Sequence, residues 1–160
     1  MDDTAIPALL FSALIGVVAG LRTMTAPAAV SWAAWLGWLD LGSTRLAFLG
    51  YRYTPWILTV LALGELVTDQ LPTTPSRTVP IQFGARLASG ALCGAAIGAS
   101  AGHLVIGAAA GVAGAVAGTL GGHALRARLA RTFGTDRPAA FIEDAVAIGG
   151  AALTVMSAGR

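Results

Sequence analysis

Apolar stretches recur through this chain at residues 5–21, 24–39, 55–71, 84–101, 104–124 and 139–157, and the strongest reach the length that a helix needs to cross a bilayer core, ~17–25 residues. Lipid offers no partner to a backbone N–H or C=O, so segments of this kind satisfy their own hydrogen bonds as helices. Composition points the same way: 56% of the 160 residues are hydrophobic and 11% charged, against about 25% charged in an ordinary soluble domain. The expected fold is all-α, a polytopic transmembrane helix bundle of five or six helices. It forms one integral membrane domain over residues 1–160, multi-pass in the cell inner (plasma) membrane, with the lipid bilayer as its surroundings.

The remaining polar content excludes several classes. All ten basic residues are Arg and the net charge is only +2, which gives no basic stripe and no nucleic-acid partner. Cys93, the single cysteine, lies inside an apolar run, so it forms no internal disulfide and serves packing. The chain starts Met1-Asp2-Asp3, acidic where a secretory signal is positive, so residues 5–21 are expected to stay as a retained span. His103 and His123 fall at opposite ends of one expected helix, too far apart to share a metal. No Cys/His cluster, phosphate loop or nucleophile–base–acid set is evident, so neither a metal nor a cofactor is expected.

Punctuation along the chain sets the organisation. Pro27 interrupts the second stretch, and Trp32, Trp35 and Trp38 recur every third residue, which suits an interfacial aromatic belt at least as well as a buried stack. Residues 22–39 are accordingly either a short membrane helix or a half-inserted one. Pro55 opens the next helix; Pro72, Pro75 and Pro80 close it and redirect the chain. Gly90, Gly94, Gly98 and Gly102 are spaced by four, as are Gly114, Gly118 and Gly122, with Gly107 and Gly111 a further pair. Such spacing strips one helix face of side chains and predicts a glycine zipper, a packing device within the bundle or between the copies of a homo-oligomer. A pore lining is the lesser reading.

With six spans, the connections after the first, third and fifth helices hold Arg22, Arg77, Arg86, Arg126, Arg128, Arg131 and Arg137, while the other side holds Arg45, Arg52 and Arg160. The positive-inside bias then puts both termini outside the cytoplasm; if 22–39 does not span, the bias weakens. A faint echo, GVVAG at 16–20 and GAVAG at 114–118, hints at halves 1–80 and 81–160 in the inverted arrangement that many transporters use.

Four of the eight acids, Glu65, Asp69, Glu143 and Asp144, lie inside apolar stretches, where a charge costs about 2.5–3.5 kcal/mol or more. Glu65 and Asp69 are four apart and share a helix face, which must look into the bundle. Adjacent residues on a helix diverge by about 100°, so at most one of Glu143 and Asp144 faces that site. Arg22, Arg77 and Arg86 are the candidate counter-charges, and Ser76 with Arg77 forms a candidate anion site in a proline-rich turn. Two readings compete: a salt-bridge network that serves the fold, and a binding site for a cation, a proton or a small anionic ligand.

Gly20-Leu21-Arg22 with Pro27, Glu65-x-x-x-Asp69-x-x-Pro72, Arg86-x-x-x-Gly90 and the final Glu143-Asp144 together resemble the skeleton of a bacterial integral membrane family known as domain of unknown function 4126. The resemblance covers nearly the whole chain. It implies the bundle architecture and the importance of the charged positions, and it implies no activity. Where that family often has Gly-x-Asp after the helix-ending proline, this chain has Thr73-Thr74-Pro75-Ser76-Arg77, which points to a different ligand if that Asp matters. The expected function is a small transporter or channel with an intramembrane carboxylate site for a cation or proton. The alternatives are a structural or assembly protein whose charges only pair with Arg, and a membrane enzyme whose arginines hold a lipid or phosphorylated headgroup.

Overall fold

The computed structural model describes residues 4–69 and 79–159, apart from the side chains of residues 136 and 137. Its helices are α1 (Ala5–Leu21), α2 (Thr25–Trp35), α3 (Thr54–Thr68), α4 (Pro80–Ser100), α5 (Leu104–Phe133) and α6 (Asp136–Ala158), with a 3₁₀ turn at Ala47–Gly50 before α3. Among the described residues there is no strand. The expected boundaries hold closely at α1 and at α3, where a proline occupies the first turn; α4 begins at Pro80, four residues before the expected stretch, because that proline opens the helix instead of redirecting the chain. The fifth stretch runs on past residue 124 because its Ala-, Leu- and Arg-rich tail consists of strong helix formers, and it stops at Gly134, which takes a left-handed φ of 71°. Of these helices, Leu104–Phe133 and Pro138–Ala158 are long and apolar enough to cross a membrane, while Ala5–Leu21 and Thr54–Thr68 are apolar but shorter.

Residue pairs fix the helix directions. Ser12 Oγ donates to Gly94 O at 3.0 Å and Arg86 reaches Gly20 O, so α1 and α4 are antiparallel. Gly16 abuts Gly111 and Gly20 abuts Ala115, so α1 and α5 run together. Met24 meets Glu65 and Trp32 Nε1 donates to Thr59 Oγ1, so α3 returns against α2. Trp38 lies beside Gly159 while Arg22 lies beside Asp144, so α2 descends with α6. Each helix thus opposes the one before it. The 11 residues of α2 give ~16 Å of helix, about half a hydrocarbon core, so residues 22–39 hold a short helix that turns back at Arg22–Met24. GVVAG and GAVAG fall on α1 and α5, which are parallel neighbours, the first helix of one half and the second of the other. That echo does not bring the two halves into register.

The tightest packing joins α1, α4 and α5. A Cβ added at Gly94 would meet Gly111 Cα at 2.8 Å, and one at Gly98 would meet Gly107 Cα at 2.8 Å, distances that real side-chain carbons do not adopt. Gly114 and Gly118 give the same close approach to Ala13 and Val17 of α1. These glycine faces are therefore occupied by helices of the same chain. Gly102, which shares the four-residue spacing, sits instead in the α4–α5 turn at φ 79° with nothing near it. Outside this centre lies a buried cluster that includes Ile15, Val30, Leu49, Cys93 and Ile97. Large apolar side chains also cover the outside, among them Val60 and Val67 on α3, Val105 on α5, and Phe141 and Leu153 on α6.

Candidate functional site

The turn between α1 and α2 leaves two helix ends inside the protein. Leu21 is the last helical residue of α1, Arg22 is extended (φ −140°, ψ 116°), and α2 begins at Thr25. Buried helix ends carry unsatisfied carbonyls on one side and unsatisfied N–H groups on the other, and each must find a partner. Charged side chains supply them. Arg86 Nη1 donates to Gly20 O at 2.7 Å and Leu21 O at 2.8 Å. Thr119 Oγ1 lies 3.2 Å from Gly20 O, and Ser89 Oγ donates to Thr23 O at 2.6 Å. On the other side the Glu65 carboxylate accepts from the N–H groups of Thr23 and Met24, both at 2.7 Å. The signs suit the helix dipoles, a cation at the carbonyl end of α1 and an anion at the amide end of α2.

Arg22 sits between these caps with 0% of its side chain exposed, and it forms ion pairs with both Asp69 and Asp144, each 13% exposed. One guanidinium from the helix break therefore ties the end of α3 to α6. Glu65 and Asp69, one turn apart on α3, both reach the break, the first through backbone and the second through Arg22. Glu143 and Asp144 separate: Asp144 turns to Arg22, whereas Glu143 lies 3.5 Å from Arg126 Nη1 on α5 and belongs to a second, smaller pair. Arg77 lies outside the described residues, as do Pro72 and the residues 73–76 of the expected anion site. Among the described residues the break thus gathers two guanidinium groups, Arg22 on carboxylates and Arg86 on carbonyl oxygens, and three carboxylates, Glu65, Asp69 and Asp144.

Thr23, Ser89 and Thr119 complete the arrangement, and residue type alone did not single them out. Their signal was positional: Ser89 stands one turn after Arg86, and a hydroxyl on an interior helix face finds a carbonyl partner. Among the described residues no three Asp, Glu, His or Cys side chains converge as metal ligands.

The depth of the site follows from helix lengths. Arg86 is six residues into α4 and Asp144 eight residues into α6, ~9 and ~12 Å from those ends, while α5 continues 14 residues beyond Thr119. The α1–α2 hairpin thus turns back short of the ends of α4, α5 and α6. Beside it an apolar groove of about 420 Å³ opens between α2, α3 and α6, with Trp32, Leu66 and Ile148 in its walls.

A family model described as "Domain of unknown function (DUF4126)" matches residues 9–157, the family that the Gly-Leu-Arg, Glu-x-x-x-Asp and Glu-Asp motifs resemble. No curated protein and no solved structure matches the chain.

Proposed function

Since this chain belongs to the DUF4126 family, whose description carries no activity, we propose from the site itself that it is a small polytopic membrane protein that binds a cation or proton at the α1–α2 break as a step in transport. The observation that carries this reading is a tight antiparallel turn between two helices inside an apolar bundle, with three carboxylates and two arginines gathered at the buried helix ends. Helix ends buried within a membrane domain offer dipoles and unpaired backbone groups of the kind that transporters use at their ion and substrate sites, and ionisable groups within a membrane are functional by default. The apolar exterior of α3, α5 and α6 supports a lipid environment, since soluble monomers rarely expose so much contiguous apolar surface.

The helix directions support six passes of the chain, with α2 the short one. Ala5 and Gly159 then fall at one end, and Arg22, Arg86, Arg126, Arg128 and Arg131 at or toward the other. The positive-inside rule makes the arginine end cytoplasmic in the inner membrane. Glycine faces packed within the protomer, in the manner of a glycine zipper, hold α1, α4 and α5 as a rigid core. Against that core α2 and α3 form a lighter pair, because α3 packs mainly on α2 and the turn before it.

A second reading has its own observation. Arg22 already pairs with two carboxylates and Glu65 already has two N–H partners, so the charges also serve as an internal brace. Reconstitution separates the two. In proteoliposomes the transport reading expects an imposed cation or proton gradient to dissipate faster than in protein-free vesicles, with Asp144→Asn abolishing the difference. Equal leak with and without protein, under gradients of protons, sodium and potassium, would leave the brace as the better account. Of the three arginines expected to hold a phosphorylated headgroup, Arg22 pairs with carboxylates and Arg86 donates to carbonyl oxygens, while Arg77 lies outside the described residues.

A further inference from the structure

The groove between α2, α3 and α6 leads to the charged cluster, and each of its walls says so independently. On α3 the wall is formed by Thr59, Ala62 and Leu66; the next residue of that stripe, three positions on, is Asp69. On α6 it is formed by Val155, Ala152 and Ile148; four positions earlier on the same face stands Asp144. On α2 it is formed by Trp32, Ala29 and Thr25, and the chain three residues before Thr25 is Arg22. Residues three and four apart are neighbours on a helix surface, so the α3 and α6 walls, extended by one turn, reach Asp69 and Asp144, and the Arg22 with which both pair stands in the turn that leads into α2. The groove holds only apolar side chains, apart from Thr25, Thr59 and the indole N–H groups; that of Trp32 is already bonded to Thr59.

We propose that this groove and the cluster at its end form one site for an amphiphilic ammonium compound, its hydrocarbon body along α2 between α3 and α6 and its cationic head against Asp69 and Asp144. The proposal rests on the reading of the break as a cation site and names the class of cation. Charge complementarity chooses the head: one guanidinium stands against two carboxylates, which leaves the trio anionic, and the two aspartate side chains retain some exposure while the guanidinium between them has none. A head that keeps its charge and sheds its water easily also fits a place where, among the described residues, no three metal-ligating side chains converge. The groove chooses the body, since about 420 Å³ of apolar space accommodates a single hydrocarbon chain and not a hydrated ion. Entry is lateral, from the bilayer, between α3 and α6.

Trp32 and Trp38 line the groove, so intrinsic fluorescence reports on its contents. The probe is dodecyltrimethylammonium brominated at the chain end, titrated into the full-length protein in phosphatidylcholine nanodiscs, with brominated dodecyl sulfate as the comparator of equal chain length. The expected result is saturable quenching by the ammonium compound, a dissociation constant raised at least tenfold in Asp144→Asn, and loss of saturation in Ala152→Phe, which fills the exposed wall of the groove without touching a charge. Thermal unfolding confirms that each variant is folded; should Asp144→Asn not fold, Ala152→Phe alone decides. Equal saturable quenching by the sulfate would overturn the proposal, as would quenching that rises linearly with probe in every variant. Sodium, potassium and pH titrations of the same samples separate this failure from that of the broader reading. Asp144-dependent binding of a small ion without the amphiphile retains the cation site and removes the groove ligand. Saturable, Asp144-dependent binding of the amphiphile that never crosses proteoliposome membranes retains the ligand and removes transport.

Discussion

Arg22 concentrates the residue-scale logic of this molecule. A fully buried guanidinium survives because two carboxylates from different helices meet it, and removing one partner of a buried ionic group typically costs 3–5 kcal/mol, roughly, since the remaining charge is stranded. Arg22→Met is therefore expected to destabilise by about that amount in chemical or thermal unfolding, and adding Asp69→Asn and Asp144→Asn to it should recover a large part of the loss. Glu65 works differently. Its two charge-assisted bonds cap α2, and Glu65→Gln, which offers one acceptor oxygen and turns an amide NH2 donor toward the other N–H group, should cost about 1.5–3 kcal/mol. The acids were legible in the sequence because a carboxylate inside an apolar run is expensive and stands out. Their assignments were not: that Glu65 would cap a backbone, that Arg86 would hold carbonyls and that Glu143 would leave for Arg126 depend on where three other helices pass.

At the scale of elements, four-residue glycine spacing announced close helix contact, and the contact is between α1, α4 and α5 of one chain. Spacing does not tell a packing glycine from a turn glycine, which is why Gly102 shares the pattern and not the role. Substitutions discriminate the two kinds. Gly94→Ala and Gly111→Ala place a methyl group into facing backbone and should each cost about 1–3 kcal/mol or more. Gly121→Ala and Gly149→Ala, on open helix surface, should be neutral or stabilising by up to about 1 kcal/mol. Melting temperatures of the four variants in one detergent check the contrast, and equal losses at all four positions would contradict the packing described. The helix start at Pro55 was legible, whereas Pro80, expected to redirect the chain, opens α4 instead, and α5 continues past residue 124 to Gly134 because its tail is rich in helix formers. The shortness of α2 was only half visible: Pro27 signalled an interruption, yet the helix starts before it and the break comes earlier, at Arg22–Met24, where Glu65 and Arg86 make an unwound backbone tolerable.

For the whole molecule, the account requires that the arginine-rich end and the end bearing both termini lie on opposite faces of a membrane. Cys93 is fully buried and unpaired, so single cysteines introduced elsewhere report cleanly. In intact cells an impermeant maleimide should label Tyr51→Cys and leave Arg128→Cys unlabelled until the membrane is opened; labelling of both without opening would refute the six-pass arrangement. The most direct test of the central claim is a thermal-unfolding titration of the nanodisc-embedded protein and its Asp144→Asn variant against protons, sodium, potassium and dodecyltrimethylammonium. A ligand at 100 times its dissociation constant adds about 2.7 kcal/mol to the native state, so the account predicts a concentration-dependent rise in Tm with at least one of these cations that disappears in the variant. If no cation moves the parent and Asp144→Asn is merely less stable, the charges at the broken helix are a brace and the binding site proposed for them does not exist.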